Sequence, residues 1–398
     1  MVNVECMSKK FGTVKAEAVF PDEPIKNSLP TCRPTWAEID LGAIRQNFHK
    51  VKRRVGSNIA VLIPVKANAY GHGILEVSKF LEDIGVDYLG VGTTDEGVFL
   101  RKNGISVPVM MLGSVLKDEA ESIISNNITQ AIGDFELLRF FDRCAARLRK
   151  KAIVHLHIDT GMGRLGIWHE YGLRLAKEAV SFKNIEVEGI FSHFSCAGED
   201  NDYSVEQLNR FVFLLEELAK QNIDFKYKHI ANSSAVIDLP HSYLNLIRPG
   251  IIIYGSSPIL GKGVGLKPAF SLKSRIVYIK EVDAERAISY GATYKTKKQT
   301  RIATVPIGYG DGLSRALSNK GSVIIGGRSY PIVGRVCMDQ IMVEVGVLPN
   351  VKVGDEVVLI GSQDAEKITL DDLAYLAGTI AYEVLCWFSN RVPRVYKQ

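Results

Sequence analysis

The sequence contains no long apolar run and no signal-peptide pattern. Its most apolar stretch, residues 244–254, is short and is interrupted by Arg248 and Pro249, whereas a membrane-spanning helix needs about 20 apolar residues. Near the N-terminus, Glu5, Lys9 and Lys10 precede any apolar run, so the apolar core of a secretory signal is missing there. These absences lead us to expect a cytoplasmic protein.

Paired cysteines and blocks of like charge are also absent. The six cysteines lie far apart, with no Cys-x-x-Cys pair and no histidines at metal-ligand spacing (Cys6, Cys32, Cys144, Cys196, Cys337 and Cys386). We therefore expect free thiols in a reducing compartment and no metal centre. The net charge is only +5, and Lys and Arg are spread along the chain. This pattern argues against a nucleic-acid partner and favours small anionic ligands.

The sequence does contain enough apolar material for two domains. Its 398 residues are 46% apolar and 23% charged, which is typical of globular proteins, and the length exceeds that of an ordinary single domain. Residues 1–34 show no sustained hydrophobic period and are interpreted as an extension of unassigned function. A first domain is predicted at residues 35–260. A second, at 261–398, opens with a linker rich in glycine and proline (Gly261, Gly263, Gly265, Pro268).

In the first domain, short apolar runs alternate with amphipathic helical stretches. Eight runs have the length and composition of buried strands, at residues 59–65, 87–91, 108–112, 128–131, 153–158, 185–191, 227–230 and 246–254. Eight parallel βα units within about 220 residues fit a (β/α)8 barrel better than an open sheet. The predicted fold class is therefore α/β, a (β/α)8 barrel followed by a mainly β C-terminal domain.

The second domain is rich in alternating β-branched residues. Strands are predicted at residues 274–282, 301–307, 322–333, 342–345 and 356–360, and Gly326-Gly327 predicts a hairpin turn. One helix is predicted from Leu370 to about Phe388.

Lys66 directly follows the first predicted barrel strand. Catalytic residues of (β/α)8 enzymes lie at the carboxyl ends of the strands, where desolvation lowers the pKa of a lysine and frees its amine for a Schiff base. The alternative is a lysine that extends out of the barrel mouth into solvent. The small residues Ala67 and Ala69 leave room for a ring and Tyr70 offers a hydroxyl, which favours the functional interpretation.

Two later strand ends suit a phosphate group. Asn232-Ser233 follows the seventh strand, and Gly250-Ile251 lies in the eighth. Barrels often bind phosphate at these positions with hydroxyls and backbone N–H groups. Ordinary turn chemistry is the alternative, since Asn, Ser and Gly favour turns anyway.

Four other residues each allow two interpretations. Arg248, inside an apolar strand, needs a partner, either in a structural ion pair or at a site. Arg164 follows a Gly-Met-Gly loop and could bind a carboxylate, or it is a solvated loop arginine. Spacing alone favours a structural role for His193. In the second domain, the residues alone show Tyr290 only as a phenol on a glycine-hinged loop.

Together these segments resemble the alanine racemase family, fold-type III enzymes that use pyridoxal 5′-phosphate (PLP), from Thr35 to Arg394. The resemblance rests first on residues 65–73 around Lys66 and residues 289–294 around Tyr290. Further matching segments are 159–166, 192–194, 231–233, 248–251, 308–312, 337–339 and 391–394.

The resemblance implies that the chain interconverts L- and D-alanine, supplying D-alanine for peptidoglycan. Lys66 would hold PLP, and Lys66 and Tyr290 would be the two bases. Arg248 would face the pyridine nitrogen, and His193 would link Tyr290 towards Arg248. The remaining implied contacts are to the cofactor's phosphate side (Tyr70, Asn232, Ser233, Gly250, Ile251) and to the substrate (Arg164, Met338). Because family members take Tyr290 and Met338 from the partner subunit, the resemblance also implies a homodimer.

The sequence departs from the family's pattern at two positions. Several members carry a carbamylated lysine where this chain has His157, and an imidazole does not supply that negative charge. Arg164 would then be oriented by a bound anion or a carboxylate. Many members carry a phosphate-contacting tyrosine where this chain has Asn390, so no phosphate contact is assigned to Asn390.

Three rival functions share parts of this pattern. A racemase of wider specificity, for serine or basic amino acids, would use the same framework with a wider pocket. A PLP-dependent decarboxylase would have a long glycine-rich phosphate loop, which the sequence lacks. A non-catalytic PLP carrier would resemble the barrel alone, and the second domain with Tyr290 argues against it.

Overall fold

The computed structural model describes residues 33–259, 265–347 and 350–398. The predicted N-terminal extension lies outside these residues except for Arg33 and Pro34, and so do Gly261 and Gly263 of the predicted linker.

The chain builds a barrel of eight parallel strands after an initial strand, β1 (Thr35–Asp40). The barrel strands are β2 (Ala60–Pro64), β3 (Tyr88–Val91), β4 (Val109–Met111), β5 (Thr129–Ile132), β6 (Ala152–Asp159), β8 (Ile185–Phe191), β9 (Tyr227–His229) and β10 (Leu246–Ile247), with a short β7 (Ile167–Trp168) beside β6. The sheet runs in the order β10-β2-β3-β4-β5-β6-β8-β9. The Arg248 N–H donates to the Ala231 carbonyl at 2.8 Å, which draws the last two strands together and nearly closes the barrel.

Helices alternate with the barrel strands. They are α1 (Leu41–Val55), α2 (Lys66–Tyr70), α3 (Ile74–Asp83), α4 (Thr94–Lys102), α5 (Ala120–Ser125), α6 (Phe135–Leu148), α7 (His169–Ser181), α8 (Asn201–Ala219) and α9 (Ser233–Asp238). Asp40, Thr93 and Asp134 cap the N-termini of α1, α4 and α6 by accepting backbone N–H groups. These side chains satisfy donors that the first helical turn leaves free, and so fix where each helix begins.

The barrel interior is a packed core. Its strands contribute a buried cluster of Leu62, Tyr88, Met110, Ala131, Phe191 and Leu246. Because side chains fill the interior, a ligand has room only at the mouth, where the loops after the strands converge.

The second domain contains three sheets in its described residues. Its strands after the barrel are β11 (Phe270–Arg275), β12 (Tyr278–Val282), β13 (Ala287–Ile288), β14 (Tyr294–Lys295), β15 (Thr300–Val305), β16 (Ser322–Ile325), β17 (Arg328–Pro331), β18 (Ile341–Glu344), β19 (Glu356–Gln363), β20 (Glu366–Ile368) and β21 (Arg394–Lys397). The largest sheet has the order β17-β16-β19-β11-β1-β21, with β20 paired to β19. The two smaller sheets are β12-β15-β18 and β13-β14.

The predicted fold class, a (β/α)8 barrel followed by a mainly β domain, is confirmed. The predicted hairpin is confirmed as well, because Ile325 pairs with Arg328 across Gly326-Gly327. Both glycines have positive φ, 56° and 70°, as two-residue hairpin turns of this kind require.

Strand β1 does not belong to the barrel, although the first domain was predicted to begin at residue 35. It pairs antiparallel with β11 and parallel with β21, in the main sheet of the second domain. Its residues alternate between buried and half-buried. Such alternation is typical of a sheet with one covered face rather than of a fully buried barrel strand.

Three predicted elements were wrong in extent. The eighth barrel strand stops at Ile247 instead of residue 254, because Pro249 has no N–H to donate to a ladder. The predicted strand 274–282 is divided between β11 and β12, which lie in different sheets. The predicted helix after Leu370 is two helices, α10 (Leu370–Ala377) and α11 (Ala381–Trp387), because Gly378 ends the first in a left-handed conformation with φ of 73°.

Candidate active site

Lys66 lies at the barrel mouth, just beyond β2 and against the end of β3. Its side chain packs beside Gly92, where an added Cβ would lie 3.3 Å from the Lys66 Cβ. Glu96, in the first turn of α4, accepts the Ala67 N–H at 2.7 Å and the Gly92 N–H at 2.8 Å. One carboxylate therefore ties together the two chain segments that flank the lysine.

The Lys66 ammonium is destabilised by its surroundings. Burial and the nearby Arg164 guanidinium lower the pKa of Lys66, and the Glu96 carboxylate offsets part of this effect. A lowered pKa raises the fraction of neutral amine, which is the nucleophilic and basic form.

Four of the residues predicted for the phosphate side converge around Gly250. The Gly250 N–H donates to the Ser233 Oγ at 2.8 Å. A Cβ on Gly250 would lie 2.9 Å from the Tyr70 hydroxyl oxygen, so only glycine leaves this space open. Ile251 is fully buried beside it. The structure thus brings Tyr70, Ser233, Gly250 and Ile251 together.

Asn232 serves as a helix cap. Its amide oxygen accepts the Ala235 N–H at 3.0 Å and begins α9. This cap turns the first residues of α9, including Ser233, towards Gly250.

Arg248 is buried and bonded to groups from the neighbouring strand ends. Its guanidinium donates to Nδ1 of His229, to the Ser192 carbonyl at 2.6 Å and to Nδ1 of His193 at 3.1 Å. Burial, with a smaller contribution from Arg164, lowers the pKa of Arg248 to about 9. The side chain therefore remains a cation near pH 7, and its Nε–H has no hydrogen-bond partner in the described part of the chain.

Two imidazoles lie next to this arginine. Desolvation and the Arg248 charge lower the pKa of His193 well below its ordinary value. His157, at the end of β6, stacks on Phe191 with ring centroids 4.2 Å apart. Burial lowers its pKa to about 3, with Arg248 and Arg164 acting in the same direction. Both imidazoles are therefore neutral near pH 7.

Arg164 is exposed on a loop shaped by Asp159. The Asp159 carboxylate accepts the backbone N–H groups of Gly161, Met162 and Gly163 at 2.8 to 2.9 Å. Across the described ranges, no carboxylate pairs with Arg164. Its charge reaches Lys66, His157 and His193 closely enough to lower each of their pKa values, so it lies above the barrel mouth.

Tyr290 and Met338 are not joined to the barrel mouth within one chain. Tyr290 begins a short 3-10 turn in the second domain and is 71% exposed, and Met338 is 54% exposed. In the residues that the structure describes, no hydrogen bond or ring contact links either side chain to Lys66 or Arg248. The Met338 carbonyl accepts the Gly310 N–H at 2.8 Å, so the 308–312 segment holds the methionine loop in place.

Sequence reasoning missed two residues of this site. Tyr382, on α11, lies with its ring 6.0 Å from that of Tyr70, and the Ser233 side chain acts to lower the pKa of its hydroxyl. Asn390, which was considered for that region, is exposed. Glu96 was also missed. Neither residue stands at a predicted strand end, and only the packing of α4 and α11 against the mouth reveals them.

Comparison with known proteins identifies the family. The model for the alanine racemase N-terminal domain matches residues 39–258, and the model for the alanine racemase C-terminal domain matches residues 269–396. This chain belongs to the alanine racemase family. Membership of the alanine racemase family makes the protein an isomerase and confirms the predicted resemblance.

Alanine racemases of several organisms are similar to this chain along almost their whole length. The alanine racemase of Halothermothrix orenii is 46% identical, over 92% of this chain and 97% of the relative. Alanine racemase 2 of Caldanaerobacter subterraneus subsp. tengcongensis is 47% identical, over 92% and 95%. The alanine racemase structure of Clostridium difficile 630 superimposes with a TM-score of 0.88 at 41% identity, covering 92% of this chain and 96% of that one.

A structure from Bacillus anthracis adds a ligand to the comparison. This alanine racemase, determined with bound L-Ala-P, superimposes with a TM-score of 0.87 at 35% identity, covering 93% of this chain and 96% of that one.

Among the described residues of the present family member, no helix has the length and apolar character that crossing a membrane requires, and no group of three His, Cys, Asp or Glu residues could hold a metal ion.

Proposed function

We propose that this protein interconverts L-alanine and D-alanine with PLP held on Lys66. Its membership of the alanine racemase family makes racemisation the reaction. The observation that carries the cofactor assignment is the position of Lys66, an amine of lowered pKa at the carboxyl end of a barrel strand.

The residues around Lys66 fit the proposed cofactor. The Tyr70 and Ser233 hydroxyls beside Gly250, with the Tyr382 ring packed 6.0 Å from that of Tyr70, suit a phosphate group. The Nε–H of Arg248 has no partner among the described residues and the charge of the side chain persists near pH 7, which suits an aromatic nitrogen that must stay unprotonated. When bound, PLP would supply an electron sink that acidifies the substrate's α-proton.

Racemisation requires a base on each face of the substrate's α-carbon. We assign Lys66 to one face and Tyr290 to the other. Lys and Tyr have reference pKa values near 10, so each needs cationic or desolvating neighbours to act near neutral pH. Lys66 has both. His193 accepts from Arg248 at Nδ1, so its Nε2 carries the proton and can donate to a Tyr290 phenolate.

We further propose that the protein is a homodimer in which Tyr290 and Met338 complete the partner's site. The exposure of both side chains within one chain supports this arrangement. Arg164 and Met338 would bind the substrate. The product D-alanine would serve peptidoglycan synthesis, and the cytoplasmic location remains a prediction.

Incubation of the PLP-loaded protein with L-alanine in D₂O tests the proposed reaction. We expect loss of optical rotation together with one deuterium gained at the α-carbon of each inverted molecule. Serine and lysine, tested in parallel, should react at least tenfold more slowly, since one methylene or hydroxyl changes pocket discrimination by roughly 10- to 200-fold. Equal rates would replace alanine racemase with a broad-specificity racemase, and deuterium uptake without loss of rotation would contradict racemisation.

A further inference from the structure

A line of hydrogen bonds leaves the Arg248 guanidinium and runs through the barrel interior, away from the mouth. Arg248 donates to Nδ1 of His229. The Nε2 of His229 lies 2.7 Å from Nδ1 of His155, and Nε2 of His155 lies 3.4 Å from Glu188. His155 and His229 are fully buried. The proposed reaction uses neither imidazole nor the carboxylate.

The first donor fixes the proton positions along this line. Arginine can only donate, so Nδ1 of His229 must be an acceptor. A neutral imidazole with a bare Nδ1 carries its proton on Nε2, and His229 therefore donates to Nδ1 of His155. By the same logic, Nε2 of His155 carries a proton and donates to Glu188. Both histidines are thus held as the Nε2–H tautomer.

The far end of the line requires the same order. The Tyr88 hydroxyl donates to Glu188 at 2.7 Å, and Lys226 Nζ donates to its other oxygen at 2.9 Å. Burial alone would raise the pKa of Glu188, but the hydrogen bonds from His155, Lys226 and Tyr88 outweigh it and lower that pKa to about 2. An ionised carboxylate has no proton to donate, so the line begins in a pure donor and ends in a pure acceptor.

We propose that His155 and Glu188 are positioning residues for Arg248. They hold His229 in the only tautomer that accepts from the guanidinium, and so fix the face that Arg248 presents at the mouth. Their effect on catalysis rests on the proposed function, but the tautomer order does not. If the line is broken at His155, His229 keeps a buried Nε2–H without an acceptor, which is destabilising unless the ring turns away. Arg248 then loses one of its fixed partners.

Nuclear magnetic resonance of the holoenzyme, selectively ¹⁵N-labelled at histidine, tests the tautomers directly. We expect His229 and His155 each to show a bare Nδ1 and a protonated Nε2 from pH 6 to 8. A protonated Nδ1 on His229, or a doubly protonated ring on either histidine, would overturn the proposal. This readout does not depend on any racemase activity, so it stands or falls separately from the proposed function.

Variants at His155 and Glu188 test the positioning effect. We expect His155→Phe to lower kcat roughly tenfold or more with a smaller change in KM, because misplacing a group that orients the reacting centre mainly affects the transition state. The pyruvate formed per racemisation event should rise. Glu188→Gln keeps an acceptor oxygen and should retain most of kcat, whereas Glu188→Ala should resemble His155→Phe.

Lys226→Met is the matched control, because Lys226 is an exposed partner of Glu188 that lies outside the line. It should leave the His229 tautomer, kcat and the pyruvate ratio at wild-type values. If folded His155→Phe and Glu188→Ala, checked by circular dichroism, also retain wild-type kcat and pyruvate ratio, the two residues only stabilise the barrel and the positioning role is wrong.

Discussion

His157 is a buried imidazole in a part of the mouth where the family resemblance suggested a negative charge. It is 6% exposed and stacks on Phe191. Burial, Arg248 and Arg164 together lower its pKa to about 3. His157 is therefore neutral near pH 7 and contributes no charge to orient Arg164, and among the described residues no carboxylate takes over that role.

The same lowered pKa predicts a pH dependence of stability. An unfolded histidine titrates near 6.5. Between about pH 6.5 and 3, His157 is therefore protonated in the unfolded chain but neutral in the folded protein. The stabilisation is complete above pH 6.5 and is lost as the pH falls towards 3. At pH 5 the loss from this one group is about 2 kcal/mol relative to pH 7.5. Between pH 7.5 and pH 5, the unfolding free energy of His157→Asn should therefore fall by about 2 kcal/mol less than that of the wild type. Urea unfolding at the two pH values measures both.

The exposed His241 provides the control. The unfolding free energy of His241→Asn should fall as much as that of the wild type when the pH is lowered from 7.5 to 5. The other buried histidines are present in all three proteins, so the comparison isolates His157. A decline in His157→Asn as steep as in the wild type would show that His157 is not held neutral by burial.

At the scale of one element, α2 is a left-handed turn made without glycine. Ala67, Asn68, Ala69 and Tyr70 have φ between 51° and 56°, a conformation that costs an L-residue roughly 1–2 kcal/mol. The turn is fastened at both ends, by the Ala67 N–H on Glu96 and by the Ile74 N–H on the Asn68 side chain at 2.8 Å. These bonds keep Lys66 at the mouth and place Tyr70 beside Gly250.

A pair of alanine-to-glycine substitutions measures this backbone strain. In Ala67→Gly the lost strain and the greater freedom of the unfolded chain roughly cancel, so we expect a stability change within about 0.5 kcal/mol. Ala146→Gly, at an exposed right-handed position of α6, should cost about 1 kcal/mol. Urea unfolding of the two variants and the wild type makes the comparison. Equal losses in both would mean that Ala67 is not strained.

At the scale of the whole molecule, the proposed site is incomplete in one chain. Lys66, Arg248 and the Gly250 space lie in the barrel, whereas Tyr290 and Met338 lie exposed in the second domain. A two-fold dimer is the simplest assembly that lets each chain complete the other's site.

Reassociation of two inactive variants tests this arrangement. Lys66→Ala and Tyr290→Phe homodimers should each be nearly inactive, because every site lacks one base. Random 1:1 reassociation makes half of the dimers mixed, and one of the two sites in each mixed dimer regains both bases. Racemase activity should therefore rise towards about a quarter of the wild-type value.

Mixing Lys66→Ala with the Lys66→Ala/Tyr290→Phe double variant gives the control, since no intact site can form in any of its dimers. Its activity should stay at the parental level. If native mass spectrometry shows mixed dimers of the single variants and activity still does not rise, the shared site is wrong.

Much of the barrel could be predicted because its signals are local. A buried parallel strand is a short apolar run, and the helix after it begins at a capping residue such as Asp134. The alternation of such runs with amphipathic helical stretches therefore predicts eight βα units. Lys66, Arg248 and Gly250 could be proposed because each follows or interrupts such a run. The break at Gly378 was visible only as one glycine inside a helical pattern, which helices also tolerate.

The fold class, the strand ends that carry the site and the family follow from the amino-acid sequence, because local hydrophobic periods and short segments around Lys66 and Tyr290 encode them. The three-dimensional packing was needed to show that β1 joins the second domain's sheet, that Tyr382 of α11 lies beside Tyr70, and that Glu188 connects through two histidines to Arg248. These contacts join residues far apart in the chain. Which distant side chains meet depends on how the helices and sheets pack, and no local pattern in the sequence specifies it.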